Sequence, residues 1–257
     1  MEIRAMTAGD LGAIGDIDAT VESSHYLHVE RAGEGLAFSW KTQLRPLREK
    51  RTHRHALDDE REFAIKQIIA GAEEGIIKGL YKFKPGPDAG KHKAHILGSG
   101  SIIRAALRAQ EILAERYDVS ADVWSATSYK NLRNEALLAE RWNRLHPAAP
   151  PKIPYLLQIL EKENGPFIAV SDYMKIVPDQ IAKWVPGGLT TLGTDGFGRS
   201  DTRPRLRRFF EIDAECVVIA TLHSLAQRGE IDSAVAARAI KDLNVDPEKA
   251  FPQIVAF

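Results

Sequence analysis

Ala94-His95-Ile96-Leu97-Gly98-Ser99-Gly100-Ser101-Ile102-Ile103 runs from a short apolar segment through two glycines into an amphipathic stretch that continues to Tyr117. A buried strand, a tight turn and a helix are the reading of such a succession, because short apolar runs bounded by turn residues suit strands and longer apolar stripes at helical spacing suit helices. The rhythm repeats. Candidate strands follow at Ala121 to Ser125, Phe167 to Val170 and Leu189 to Leu192, and candidate helices at Ile102 to Tyr117, Leu132 to Trp142, Tyr155 to Glu163 and Pro178 to Trp184. Two helices, Asp213 to Arg228 and Ser233 to Leu243, close the chain, the first with Ala214, Val217, Val218, Thr221, Leu222 and Leu225 as its buried stripe. Short strands alternating with helices predict an α/β fold in which helices are layered on a mainly parallel sheet. The turn itself approaches a dinucleotide-binding fingerprint, but Ile103 stands where the third glycine belongs, so it reads as a structural turn.

Upstream of Gly71 the pattern changes. Glu2 to Met6 alternates like a strand, and Thr7 is placed to cap a helix carrying Leu11, Ile14, Ile17 and Asp18. Leu27 to Trp40 reads as two strands joined at Gly33-Glu34-Gly35. Lys41 to His55 is basic and is followed at once by Asp58, Asp59, Glu60 and Glu62, which suggests a solvated connector. No aromatic interleaves these basics, so no partner is assigned to them. Phe63 to Leu80, with Gly71 and Gly75 inside it, reads as interrupted helix. The expected organisation is a small α+β segment over 1–70 and an α/β domain over 71–257.

Composition narrows the function classes. With 257 residues and 44% apolar content the chain can bury an ordinary core, and 35 basic residues balance 35 acidic ones. No overall field draws in nucleic acid or an anionic membrane. Cys216 is the single cysteine, so neither an internal disulfide nor a thiolate zinc site is expected. The start of the chain lacks a leader pattern and no window is apolar enough to span a bilayer, which together suggest a cytoplasmic protein.

Gly193-Thr194-Asp195-Gly196-Phe197-Gly198-Arg199-Ser200-Asp201 follows a candidate strand and precedes a helix beginning near Pro204. Asp201 or Thr202 suits that helix's N-cap and Pro204 its first turn. Asp195 and Arg199 are left to pair with each other, to bind an anion, or to cross a subunit boundary. The histidines fall in short-range pairs (His25 and His28, His53 and His55, His92 and His95) with no carboxylate on a shared helical face, and none matches a zinc signature. His146 and His223 read as satisfied or surface imidazoles and Cys216 as a packing residue. No nucleophile elbow or Walker loop occurs.

Five stretches in fixed order carry a family resemblance: Glu73-Glu74-Gly75-Ile76, Leu97 to Ile102, Ala139-Glu140-Arg141-Trp142-Asn143-Arg144-Leu145-His146-Pro147, Ser171-Asp172-Tyr173-Met174-Lys175, and Gly193 to Asp201. From about Ala72 to nearly its end the chain resembles the final domain of the homodimeric, bacterial-type decarboxylating component of pyruvate dehydrogenase. Gly193-x-Asp195-x-Phe197-Gly198-x-Ser200 is similar to a pattern of transketolase carboxy-terminal domains, which implies a three-layer α/β/α sandwich. In that family thiamine diphosphate and magnesium lie between two preceding domains, on a Gly-Asp-Gly motif absent from this sequence. The resemblance therefore implies no catalytic, cofactor or metal residue in this chain. It implies contacts with other pyruvate dehydrogenase domains, a second copy, or the dihydrolipoyl acyltransferase core, with Asp172, Tyr173, Asp195, Arg199, Ser200 and Asp201 as the interface or ligand loop. At the other end, Glu2 to Thr7, Asp10-Leu11 and Tyr26 to Glu30 resemble the opening of a GNAT N-acetyltransferase, without its acetyl-CoA loop. An acetyl-CoA-dependent acetyltransferase and a small-ligand-sensing α/β module are the alternatives.

Overall fold

The structure, a computed structural model, describes residues 20–34, 37–54 and 73–254. The chain divides into two compact units, Met1–Gly71 and Ala72–Phe257. In the first, β1 (Thr20–Glu34) and β2 (Ala37–Arg54) pair as an antiparallel ribbon, with a register shift between Ser23 and His25. Both strands run well beyond the hairpin expected between Leu27 and Trp40. The supposed connector from Lys41 onward is the body of β2 as far as Arg54. A charge run has no apolar period to read, whereas the ladder that makes it a strand is formed by backbone groups. The expected strand at Glu2 to Met6 and the helix after Thr7 lie outside the described residues.

The second unit is built on a five-stranded sheet of order β3-β5-β4-β6-β7, made by β3 (Leu80–Lys84), β4 (His92–Gly98), β5 (Val119–Ala126), β6 (Phe167–Val170) and β7 (Leu189–Leu192). The last four strands are parallel and β3 runs antiparallel on the edge beside β5. All four strands expected from the apolar runs are present. β3 was hidden because Leu80 reads as the end of the preceding apolar helix; that helix, α1 (Glu73–Lys78), stops at Gly79. The strand's five residues are too few to display a period.

Strand alternation sends side chains to both faces, and helices cover both. On one face lie α2 (Ile103–Tyr117) and α7 (Ala214–Gln227), which pack on each other and on the parallel strands, with α8 (Ser233–Asp242) against α7. Ala105, Ala106 and Ala109 on the buried side of α2 let it approach the sheet closely. On the other face α3 (Tyr129–Leu145) and α4 (Tyr155–Leu160) close over Leu97, Trp124, Phe167 and Ala169. Leu97, Leu132, Leu156, Leu160 and Phe167 are almost wholly buried, each contributing about 1.5 to 3 kcal/mol. The helices start where capping residues allow: Ser128 accepts from the Asn131 amide, Asp213 from Cys216 and Asp232 from Ala234. The helix expected over Pro178 to Trp184 is instead two short pieces, α5 (Ile176–Asp179) and a 3₁₀ turn at Ala182–Trp184, with Pro178 inside the first. Among the described residues no helix is long and apolar enough to cross a membrane.

The entry into β6 depends on Gly165. Its φ is +112°, and a Cβ there would stand 2.2 Å from the Lys93 carbonyl oxygen of β4. Gly165→Ala is expected to lower the unfolding free energy by about 2 kcal/mol or more, measured by urea denaturation. A change under about 0.5 kcal/mol would show that this turn relaxes freely.

Candidate functional site

In an open α/β sheet, ligands and partners meet the crevice where neighbouring parallel strands send their connections to opposite faces. Here that place lies between β4, which leads into α2, and β6, whose following segment places Val177 and Ile181 against the opposite core. The loops after these strands carry Ser99 and Ser101 on one side and Ser171 to Lys175 on the other.

Their polar groups are joined to one another. Ser101 Oγ donates to Asp172 Oδ2 at 2.7 Å, and Arg207 from α6 (Arg203–Phe209) closes the triangle. Arg207 Nη2 donates to Ser101 Oγ at 3.1 Å and to Asp172 Oδ2 at 3.1 Å, while Nε reaches Asp172 Oδ1 at 3.3 Å. Such a fork on a partly buried carboxylate is among the stronger polar contacts in proteins. Behind it, Ser99 Oγ donates to Ser171 Oγ at 3.4 Å, and Ser171 Oγ also accepts from the Tyr173 amide at 3.0 Å. The loop after β7 joins in: Thr194 donates its amide to Tyr173 O at 2.9 Å and its hydroxyl to Asp172 O at 3.0 Å, and Asp195 Oδ2 accepts from the Lys175 amide at 3.2 Å. Gly193 permits this approach, since a Cβ there would lie 2.6 Å from both Tyr173 O and Lys175 N.

Asp172, Tyr173 and Asp195 are thus brought together, and Asp195 does not pair with Arg199. The Arg199 guanidinium lies over the Phe209 ring, 4.2 Å from its centroid. Asp201 accepts from the Thr202 amide at 2.7 Å and faces Arg205 at 3.8 Å, while exposed Ser200 lines a shallow cleft with Arg199 and Phe209. Thr202 occupies the N-cap position of α6 but makes no side-chain cap, and Pro204 lies in the first turn. Asp195 thus meets backbone, whereas Asp172, Ser99, Arg199 and Asp201 meet other side chains. Tyr173, Met174 and Ile176 are exposed beside them.

A second cluster lies within the sheet. His95 in β4 is buried, with Asp122 from β5 opposite it in register and Glu163 from the segment before β6 nearby. These three place potential metal-ligating atoms within 4.8 Å of one another. The space between the acids holds an ammonium: Lys82 of β3 contacts Asp122 at 2.7 Å and Glu163 at 2.8 Å. Both imidazole nitrogens are also engaged, Nδ1 by the Trp124 indole N–H at 3.3 Å and Nε2 by the Asn164 carbonyl at 2.9 Å. An indole only donates and a carbonyl only accepts, so the ring is neutral with its hydrogen on Nε2. The donor set therefore suits an internal salt bridge rather than a cation site. Burial lowers the His95 pKa below 6.5 despite the Asn164 contact. For Lys82 burial opposes the charge, yet the hydrogen bonds its ammonium donates to Asp122 and Glu163 prevail and the pKa rises. Asp122 is likewise opposed by burial, but the Gly86 amide and Lys82 bring its pKa below the usual carboxylate value.

Sequence reasoning looked for a carboxylate one helical turn from each histidine; in a strand the partner comes from the neighbouring strand instead. The available signal was position: His95 falls inside an expected buried strand, where an imidazole must be satisfied. Lys82, Glu163 and Arg207 had no comparable signal, because their partners lie 81, 81 and 35 residues away. The remaining residues conform: Cys216 is buried, with its thiol pKa pushed up by that burial, and His223 is exposed.

The sign of the His95 shift fixes a pH response. A neutral buried imidazole stabilises the fold above its unfolded pKa, and that contribution is lost as pH falls through 6.5 toward the lower folded value. Urea midpoints are expected to fall between about pH 7.5 and pH 5.5, with a shallower slope in His95→Gln. Equal slopes in the two proteins would mean that His95 does not titrate against folding.

The transketolase-like TK C-terminal domain family matches residues 79–213, which covers the sheet from β3 to the start of α7. The pyruvate dehydrogenase E1 component of Pseudomonas aeruginosa is 48% identical over 183 residues, covering 71% of this chain and 21% of that protein. That of Escherichia coli K12 is 48% identical over 185 residues (72% and 20%), and that of Mycobacterium tuberculosis 47% over 180 residues (70% and 19%). The chain thus spans about a fifth of the length of the curated relatives it matches. With more than half of its residues matched and the expected α/β architecture in place, the chain belongs to the transketolase-like TK C-terminal domain family.

Proposed function

We propose that the α/β unit is the carboxy-terminal domain of a pyruvate dehydrogenase E1 component and serves dimer and complex assembly rather than the chemical step. The observation that carries this reading is the identity near 48% to E1 components over a span confined to about a fifth of their length. The site supports it. A general acid, base or nucleophile needs a free group facing its substrate, whereas Asp172 is occupied by Ser101 and Arg207 and Asp195 by a backbone amide. Exposed Tyr173, Met174 and Ile176 beside that satisfied framework suit a protein contact. The partners on this reading are other E1 domains, a second copy of the chain, or the dihydrolipoyl acyltransferase core, met in the cytoplasm through the Asp172–Tyr173 segment and the Asp195 to Asp201 loop.

Thiamine diphosphate and magnesium belong, in this proposal, to the rest of the parent enzyme. The carboxylate cluster of the described residues does not fit them, because Lys82 already supplies its positive charge. The amino-terminal likeness to a GNAT acetyltransferase gains no support from the family match, which begins at residue 79, and no acetyl transfer is proposed. The isolated chain is expected to release no carbon dioxide from pyruvate when supplied with thiamine diphosphate and magnesium, and to co-elute in size exclusion with the acyltransferase core or with an E1 protein lacking its last domain. Turnover by the chain alone, or failure to associate with either protein, would contradict the reading.

A further inference from the structure

Helix α6 is seven residues long and buries none of them, so neither its length nor its packing makes it stable by itself. Polar contacts fix it instead. Arg207 grips Asp172, Arg208 pairs with Asp213 and, at 3.2 Å, with Glu215, and the segment that follows α8 supplies the rest. Asn244, left-handed with φ +53°, turns the chain out of α8, and its carbonyl accepts from Arg208 Nη1 at 3.3 Å. Further on, the Lys249 ammonium donates to the carbonyls of Phe209 at 2.7 Å and Arg208 at 3.1 Å, and it pairs with Glu211 at 3.1 Å. The last carbonyls of a helix have no partner within it, and a cation there also meets the negative end of the helix dipole. Lys249 answers both at the end of α6.

The same segment then reaches the loop after β7. The Phe251 ring lies under Lys175 Nζ, 5.1 Å from its centroid, and Pro252 sets its carbonyl against Gly196. A Cβ at Gly196, whose φ is +122°, would stand 2.7 Å from that oxygen, so glycine is what allows the two segments to meet. Residues 244–254 thus touch α6, the segment after β6 and the loop after β7, which together make the carboxyl edge. Apart from Pro252, none of residues 244–254 is buried. A few contacts at its surface hold this segment, and such segments open at low free-energy cost while the core stays closed.

We propose that residues 244–254 act as a strap, in which Lys249 and the Pro252 turn hold α6 and the loop after β7 in the conformation that docks a partner. Dependence runs from Lys249 to α6, from α6 through Arg207 to Asp172, and so to Tyr173 beside it. Releasing the strap loosens the edge without opening the sheet. The docking role rests on the assembly reading above; the mechanical role does not.

Hydrogen exchange followed by mass spectrometry, on the full 257-residue chain and its Lys249→Met variant, tests the strap. Exchange is expected to quicken about tenfold or more in residues 172–176, 193–201 and 203–209 of the variant and to stay unchanged in β4. Lys241→Met, an exposed control on α8, is expected to match wild type throughout. In size exclusion, association with the acyltransferase core or with an E1 protein lacking its last domain is expected to weaken about tenfold in Lys249→Met. Failure of the wild-type chain to associate would remove the assembly reading, and the exchange rates would still decide the strap. Equal exchange at the edge in Lys249→Met and wild type, or equal acceleration in β4, would overturn the proposal, as would a loosened edge that associates as tightly as wild type.

Discussion

β4 is hydrogen-bonded to β5 on one side and to β6 on the other and is covered by helices on both faces, so the His95 imidazole sits where water cannot serve it. Both its nitrogens must therefore find protein partners, and the Trp124 indole and Asn164 carbonyl leave one tautomer. Asp122 stands opposite in register, and its charge must be answered in turn. Lys82 answers it from the antiparallel edge strand and reaches Glu163 with the same ammonium. One buried ring thereby ties β3, β4, β5 and the approach to β6 into a single pairing scheme. Leaving any member unmatched carries the cost of a desolvated polar group.

The sheet held in this way presents its parallel carboxyl ends at one edge, and the chemistry there follows the same principle. Asp172 is answered by Arg207 and Ser101, Asp195 by the Lys175 amide, and the Gly193 approach lets the loops after β6 and β7 share hydrogen bonds. These groups are spent on fixing loops. What faces outward beside them is apolar and aromatic, Tyr173, Met174 and Ile176, a composition suited to contact with protein. An edge whose polar groups are engaged internally is consistent with the proposed role in assembly.

The sheet was legible because buried parallel strands advertise themselves as apolar runs, as Phe167–Val170 does; Leu189–Leu192, partly buried with two threonines between its leucines, also matches its expected bounds residue for residue. The antiparallel edge strand Leu80–Lys84 did not, since three of its five residues are partly exposed and its first residue continues an apolar helix. Asp172 and Asp195 were singled out as candidates for an interface or ligand loop; that their two loops share hydrogen bonds, and which groups partner them, was not legible. A backbone amide such as that of Lys175 has no sequence signal, and Arg207 is one arginine among four in Arg203–Phe209. Long-range pairing of charges is decided by the fold, and only after the fold is known does the sequence become readable at those positions.

A double-mutant cycle on Asp172→Ala and Arg207→Ala, read as unfolding free energies in urea, tests most directly whether the carboxyl edge is occupied by its own internal pairing. The account predicts a favourable coupling of about 1 to 2 kcal/mol between the two residues. Additive losses, with a coupling indistinguishable from zero, would mean that Asp172 is available to another group and would contradict it.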